Sequence, residues 1–301
     1  SALTAVEKSY YSGKTDEFLE PTFITPKNGI AKDSPEGMIK DGDGLIFFNF
    51  RADRAKEITR AFTDTDFTAF KREKRIGLSG FVCMTQYDET FDLPVAFGPQ
   101  HLDNILGGML SKNNIQQLRI AETEKYAHVT YFFNGGDEKI FEGEKRVLIP
   151  SPRDVATYDQ KPEMSAFMVA ETACEKIRSG EFKFIVLNFA NMDMVGHTGI
   201  LTAAIKACET VDECVEKVVR AIWETGGTAM VTADHGNAEQ MIADDGSPHT
   251  AHTLNPVQFV LAGEKYKGIA MKDGILGDIA PTVLKVLNLE QPKDMTGTPL
   301  I

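Results

Sequence analysis

Cysteine is scarce in this chain: four residues in 301. Cys83, Cys174, Cys208 and Cys214 form no Cys-x-x-Cys pair and no framework spacing, so they read as reduced thiols of a cytosolic protein. Long hydrophobic runs are missing as well. No apolar stretch approaches the ~20 residues that cross a bilayer, and no signal-peptide pattern opens the sequence. The expectation is a cytoplasmic protein with no membrane partner. An excess of positive charge is also lacking, since 32 Lys and Arg stand against 44 Asp and Glu, a formal charge of −12. That excludes the whole-protein electrostatic footprint of a nucleic-acid binder. It does not exclude a small anionic ligand, because local Arg, Lys and metal charges decide that. Repeats and low-complexity tracts are absent. The first residue is Ser1 rather than Met, and the expectation is that the chain begins inside a longer protein.

What is present is ordinary globular material, 42% apolar and 25% charged. The length suits two domains or one large one at roughly 100–200 residues per domain. A Pro/Gly-marked stretch at 92–100 is the best boundary. Before it, 45–50 reads as a buried strand, 51–62 as a helix and 80–86 as a second strand, and this β–α–β order implies parallel pairing. After it, helices are expected at 101–112, 126–134, 164–179 and 203–224, with strands at 117–121, 182–189, 228–233 and 256–262. Gly180 and the pair Gly226-Gly227 should end two of these helices. Asp278 should cap a final one. The fold class expected is α/β, a predominantly parallel sheet flanked by helices.

The polar residues that follow the strands carry the chemistry, because ligands of open parallel sheets gather beyond the carboxyl ends of the strands. After the strand at 182–189 comes Asn-Met-Asp193-Met-Val-Gly-His197. Asp193 and His197 are four apart and share a face if the segment makes a helical turn, so a carboxylate and an imidazole can hold one cation. After the strand at 228–233 comes Asp234-His235-Gly-Asn-Ala-Glu239. Those two adjacent ligands serve either different metals or one metal through a bent loop. Before the strand at 256–262 lies Pro-His249-Thr-Ala-His252-Thr. The two histidines share a face if the segment turns, and only one ligates if it is extended. Four of the six histidines fall within residues 197–252, all in expected loops, and that coincidence points to a metal centre. Further upstream, Arg51 and Arg54 follow the first strand and open a helix. Guanidinium groups there suit phosphate or carboxylate. Lys125, just past another strand, can neutralise a phosphate.

These residues together resemble one family. Phe47-Phe-Asn-Phe-Arg-Ala-Asp-Arg54, Glu122-Thr-Glu-Lys-Tyr-Ala-His-Val-Thr-Tyr-Phe-Phe133, Asp193-Met-Val-Gly-His-Thr-Gly199, Thr232-Ala-Asp-His-Gly-Asn-Ala-Glu239 and His249-Thr-Ala-His-Thr253 are similar to the motifs of the cofactor-independent (2,3-bisphosphoglycerate-independent) phosphoglycerate mutases, members of the alkaline phosphatase superfamily. The resemblance runs over essentially the whole chain and implies an isomerase that interconverts 3-phosphoglycerate and 2-phosphoglycerate in glycolysis and gluconeogenesis through a phosphoserine intermediate. It implies two divalent cations, manganese or alternatively zinc. Asp193, His197 and His252 would hold one, and Asp234 and His235 would help to hold the other. Arg51, Asp53 and Arg54 would bind the glycerate substrate, and Lys125 would contact the transferred phosphate as a catalytic group. Residues 1–97 would be part of a second α/β, substrate-binding domain, and 98–301 an alkaline phosphatase-like domain without its N-terminal segment.

The family's nucleophilic serine and the remaining second-metal ligands have no counterpart in this sequence. Asp41-Gly-Asp-Gly44 sits in the wrong place to be the family's early metal motif, and Gln258 stands where a proline is expected. The chain is therefore expected to be a C-terminal portion, a monomer that is inactive alone. The alternatives are another phosphohydrolase or phosphomutase of the same superfamily and a non-catalytic metal-binding module.

Overall fold

A computed structural model describes residues 1–14, 19–22, 24, 38–52, 55–98 and 102–301. The chain divides into two compact units, Ser1–Gln100 and His101–Ile301. The first contains α1 (Ala2–Tyr11), β1 (Gly44–Phe47), α2 (Ala55–Thr63), β2 (Gly80–Thr85) and β3 (Val95–Phe97). β1 and β3 both pair parallel to the central β2, as the β–α–β order predicts. Leu45, Phe47, Phe81 and Cys83 alternate onto one sheet face, where they pack with Ala55, Phe62 and Tyr87.

Three expectations change in this unit. The first strand stops at Phe47, not at 50, and the helix begins at Ala55, not at 51. The reason is local: Asn49 Oδ1 accepts the Arg51 N–H at 2.8 Å, an Asx-type turn that competes with both strand and helix. The Tyr87 hydroxyl fastens the same turn from across the sheet, 2.5 Å from the Asn49 carbonyl oxygen. Arg51 therefore precedes the helix instead of opening it, and Arg54, its expected partner on one helical face, lies outside the described residues together with Asp53. The stretch at 92–100 is also more than a linker, since it supplies β3.

The second unit contains α3 (Leu106–Lys112), β4 (Gln117–Glu122), α4 (Tyr126–Val129), β5 (Glu144–Ile149), α5 (Ala166–Arg178), β6 (Phe184–Asn188), α6 (Asn191–Gly196), α7 (Leu201–Glu224), β7 (Ala229–Val231), β8 (Val260–Ala262) and α8 (Ile279–Val286). One sheet has the order β5-β4-β6, all parallel. Its central strand β4 is buried along its full length, as a strand covered on both faces must be. Leu118 and Ile120 pack against Val169 and Ala173 of α5, and α7 lies over α5 through Cys174, Ile177 and Ala221. The alternate residues turn toward α3: Gln117 donates to the Gly107 carbonyl at 2.9 Å, and the Arg119 guanidinium lies 4.3 Å over the Phe133 ring. A second apolar cluster joins α3 and α8 to Phe184 and Met230.

Gly180 and Gly226 follow α5 and α7 at φ +68° and +73°, the left-handed helix-ending geometry that their positions predict. Three other expectations are corrected. β5 has no predicted counterpart, because its Glu-Lys-Arg opening conceals a strand whose Glu144 is buried and pairs with Arg146 Nε at 2.6 Å. The helix expected over 126–134 is a single turn, with Thr130 Oγ1 donating to the Tyr126 carbonyl at 2.7 Å. Asp278 sits at the start of α8 without capping it: its carboxylate accepts the Ile275 N–H at 2.8 Å and the Thr298 N–H at 2.6 Å. Among the described residues, no helix is long and apolar enough to cross a membrane.

Candidate metal centre

Sheet topology brings three loops together. β6 ends at Asn188 and the chain turns almost at once into α6. Asp193 lies in its first turn, and His197 follows its last residue in helical conformation, its N–H bonded to the Asp193 carbonyl at 3.0 Å. The i, i+4 relation thus holds, and His197 Nε2 is 3.0 Å from Asp193 Oδ1. β8 runs antiparallel to β7 with Val231 opposite Val260, so the residues before β8 return to the edge at which those after β7 leave. Thr253 donates its N–H to the Gly236 carbonyl at 2.9 Å and ties the two loops. His252 Nε2 arrives 3.1 Å from Asp193 Oδ1 and 3.1 Å from His197 Nε2. The ligating atoms of Asp193, His197 and His252 all lie within 4.8 Å of one another.

The geometry bears on the two questions that spacing left open. His235 stacks on His252, ring centroids 3.7 Å apart, and its Nε2 is 3.9 Å from Asp193 Oδ1 and 3.7 Å from Asp234 Oδ1. Asp234 and His235 therefore face one region and do not point apart. His249 is left out of the cluster. Its backbone N–H goes to the Met241 carbonyl and its Nδ1 is buried without a partner.

The donor set fits a divalent cation. His197 Nδ1 is 2.6 Å from the Thr250 carbonyl, which makes Nδ1 the protonated nitrogen and turns the Nε2 lone pair toward Asp193. Two imidazole nitrogens and a carboxylate oxygen suit manganese or zinc better than calcium. Buried Lys125 places its ammonium 2.5 Å from Asp193 Oδ2, and Asn237 Nδ2 donates to Oδ1 at 2.8 Å. Burial pushes the Asp193 carboxyl up, but Lys125, Asn237 and His197 outweigh it and hold the group down to about 2. Asp193 is thus an anion at neutral pH.

Three participants are not evident from motif reading. His128 lies within electrostatic reach of Lys125, Asp234, Asp193 and His235, and burial followed by the Lys125 charge holds its imidazole below the usual value. The i, i+3 spacing from Lys125 was the available signal. Asn237 is buried beside Gly196, where an added Cβ would collide with the Asn237 Oδ1. Glu239 accepts the Asn237 N–H at 2.6 Å, the Asn255 Nδ2–H at 3.0 Å and the Thr253 hydroxyl. Arg51 belongs to the other unit.

Known proteins are similar to this chain. The model of a family described as the metalloenzyme superfamily matches residues 22–291. The chain is 54% identical over 301 residues to the 2,3-bisphosphoglycerate-independent phosphoglycerate mutase of Syntrophotalea carbinolica, covering 100% of this chain and 57% of that protein. It is 57% identical over 302 residues to mutase 1 of Methanosarcina barkeri, with the same coverage of each. A crystal structure of Leishmania mexicana phosphoglycerate mutase at low cobalt concentration matches with a TM-score of 0.73 and 32% identity, over 99% of this chain and 57% of that one. The chain thus spans 57% of the length of these relatives.

Proposed function

Because the chain belongs to the metalloenzyme superfamily, we propose that it supplies the metal-holding and phosphate-handling part of a cofactor-independent phosphoglycerate mutase, a cytoplasmic, monomeric glycolytic isomerase that interconverts 3-phosphoglycerate and 2-phosphoglycerate. One observation carries the reading: Asp193, His197 and His252 converge on a common point with the buried Lys125 ammonium against the same carboxylate. That ammonium supplies local positive charge in an acidic protein, where a phosphate would need it.

Asp193, His197 and His252 would hold one divalent ion, and Asp234 with His235 would contribute to a second. Manganese is the proposed metal and zinc the alternative. When bound, such ions polarise phosphoryl oxygens and ease ionisation of an attacking hydroxyl. The chain's own residues do the rest. Lys125 offsets charge on the transferred phosphoryl group, and the His197–Thr250 bond keeps one imidazole aimed. Arg51, Asp53 and Arg54 of the first unit are proposed to bind the glycerate, residues 1–97 being taken as a substrate-binding domain and 98–301 as a phosphatase-like one. A phosphoserine intermediate is part of the proposal, and none of the 301 residues is assigned as that serine.

The test is calorimetric titration of the metal-stripped chain with manganese chloride. The expected result is one tight site that His252→Ala abolishes. Mixing the chain with the remaining portion of a relative and assaying 2-phosphoglycerate should then give mutase activity that the chain alone lacks. Absence of metal binding would overturn the site. Release of inorganic phosphate without isomerisation would replace the mutase by a phosphohydrolase.

A further inference from the structure

We infer that Glu239 is a positioning residue of the metal centre, whose carboxylate joins the three ligand-bearing segments and sets the spacing of Asp193, His197 and His252. The inference rests on the metal-site reading above and extends it to a residue that touches none of the proposed ions.

The contacts form one continuous path. Thr253, next to His252, donates its hydroxyl to Glu239 Oε1, and Asn255 donates from Nδ2 to the same oxygen at 3.0 Å. The other oxygen, Oε2, accepts the Asn237 N–H at 2.6 Å. Asn237 in turn grips Asp193 twice, from Nδ2 to Oδ1 at 2.8 Å and to the backbone carbonyl at 3.3 Å. The path runs Thr253, Glu239, Asn237, Asp193, and so joins the loop before β8, the loop after β7 and helix α6. His252 and Asp193 reach the centre from different segments, and no strand pairing fixes their separation. Together with the Thr253–Gly236 bridge and the bond from His197 Nδ1 to the Thr250 carbonyl, this path holds them in register.

Two glycines make room for it. A Cβ at Gly236 would strike both the Thr253 hydroxyl and Glu239 Oε1, and a Cβ at Gly196 would strike Asn237 Oδ1. Glycine beside His235 and glycine beside His197 are therefore consequences of the clamp. A carboxylate is the side chain that suits this place. Three donors converge on it, and an ionised carboxylate is an acceptor on both oxygens. Glutamine would offer one accepting oxygen and oppose its own NH₂ to a donor on the other arm.

Cobalt(II) chloride, whose visible absorption reports coordination geometry, is the probe, titrated into the metal-stripped 301-residue chain. Loss of a group that orients a ligand lowers metal affinity roughly 10–100-fold. Glu239→Gln is expected to weaken cobalt binding by at least about tenfold and to change the visible spectrum, with circular dichroism unaltered. Thr253→Val should act in the same direction, Thr253→Ser should retain wild-type binding because it keeps the hydroxyl, and the Glu239→Gln/Thr253→Val pair should lose less than the product of its parts. The Thr253 pair decides the matter if Glu239→Gln fails to fold. Unchanged affinity and spectrum in folded Glu239→Gln, or equal losses in Thr253→Val and Thr253→Ser, would overturn the clamp alone. Failure of the wild-type chain to bind cobalt would overturn the metal site and the clamp with it.

Discussion

Asp193 has two jobs that conflict in isolation. It is mostly withdrawn from water, which penalises its charge, and it is proposed to donate an oxygen to a cation, which requires that charge. Lys125 and Asn237 resolve the conflict from opposite sides of the carboxylate. Glu239 resolves a similar one. Burial raises its pKa, while the Thr253 hydroxyl and the amides of Asn255 and Asn237 bring it down to about 2 from an ordinary value of 4.5. The sign follows directly. A folded-state pKa below the unfolded one contributes stability that is present above about 4.5 and is lost as pH falls toward 2. Urea midpoints of wild type and Glu239→Gln should therefore differ at pH 6 and converge between about pH 4.5 and 2, Asp193 contributing alike to both. A constant difference across that window would mean that the carboxylate charge is not what these donors recognise. At this scale Asp193, His197, Asp234 and His235 stood out by type and spacing as candidate ligands, whereas spacing left His249 and His252 open and the family resemblance alone chose His252. Glu239 and Asn237 were not, because their importance lies in bonds to residues as many as 44 positions away.

Among the elements, the central strand β4 is where burial and function meet. Its interior residues fix the sheet, and its carboxyl end releases the turn that carries Lys125. Ile120 is fully buried and Ile46 of β1 is 70% exposed. Ile120→Ala should cost about 2–5 kcal/mol and Ile46→Ala under about 0.5 kcal/mol, measured by urea denaturation with unchanged m-values. Equal costs would contradict the assignment of the core. Elements with plain hydrophobic periodicity, such as α5 and α7, were readable in sequence, and so was the parallel pairing of β1 with β2, while β3 was not. The misreadings have two physical sources. β5 is an edge strand whose buried Glu144 pairs with Arg146, and these charges hide its apolar residues. The chain around Asn49 and around Asp278 is held by side chains that bond neighbouring or distant backbone N–H groups, so local propensity did not decide where α2 begins or what the Asp278 carboxylate does.

For the molecule as a whole, division into two units makes a local probe available. The single tryptophan, Trp223, lies on α7 in the second unit with its Nε1 bonded to the Ala262 carbonyl at 3.3 Å, so its fluorescence reports the unit that carries the metal centre. A ligand that binds the folded state alone stabilises it by about 2.7 kcal/mol at 100 times its Kd. Manganese at that excess should move the Trp223-monitored transition upward, and His252→Ala should remove the shift. A shift that survives the substitution would place the ion elsewhere. The amino-acid sequence alone determined the α/β class, the order of most strands and helices, the absence of a basic footprint, and the types of residue available for a metal centre, since each of these follows from composition, periodicity or spacing within a single segment. The choice of His252 over His249 came from the family resemblance and not from spacing, and only the tertiary structure showed His252 beside Asp193 and His197, Asp234 and His235 facing the same region, and the bonds of Glu239 to the loops between them. Those outcomes depend on the antiparallel return of β8 beside β7, a pairing between segments that no local pattern encodes.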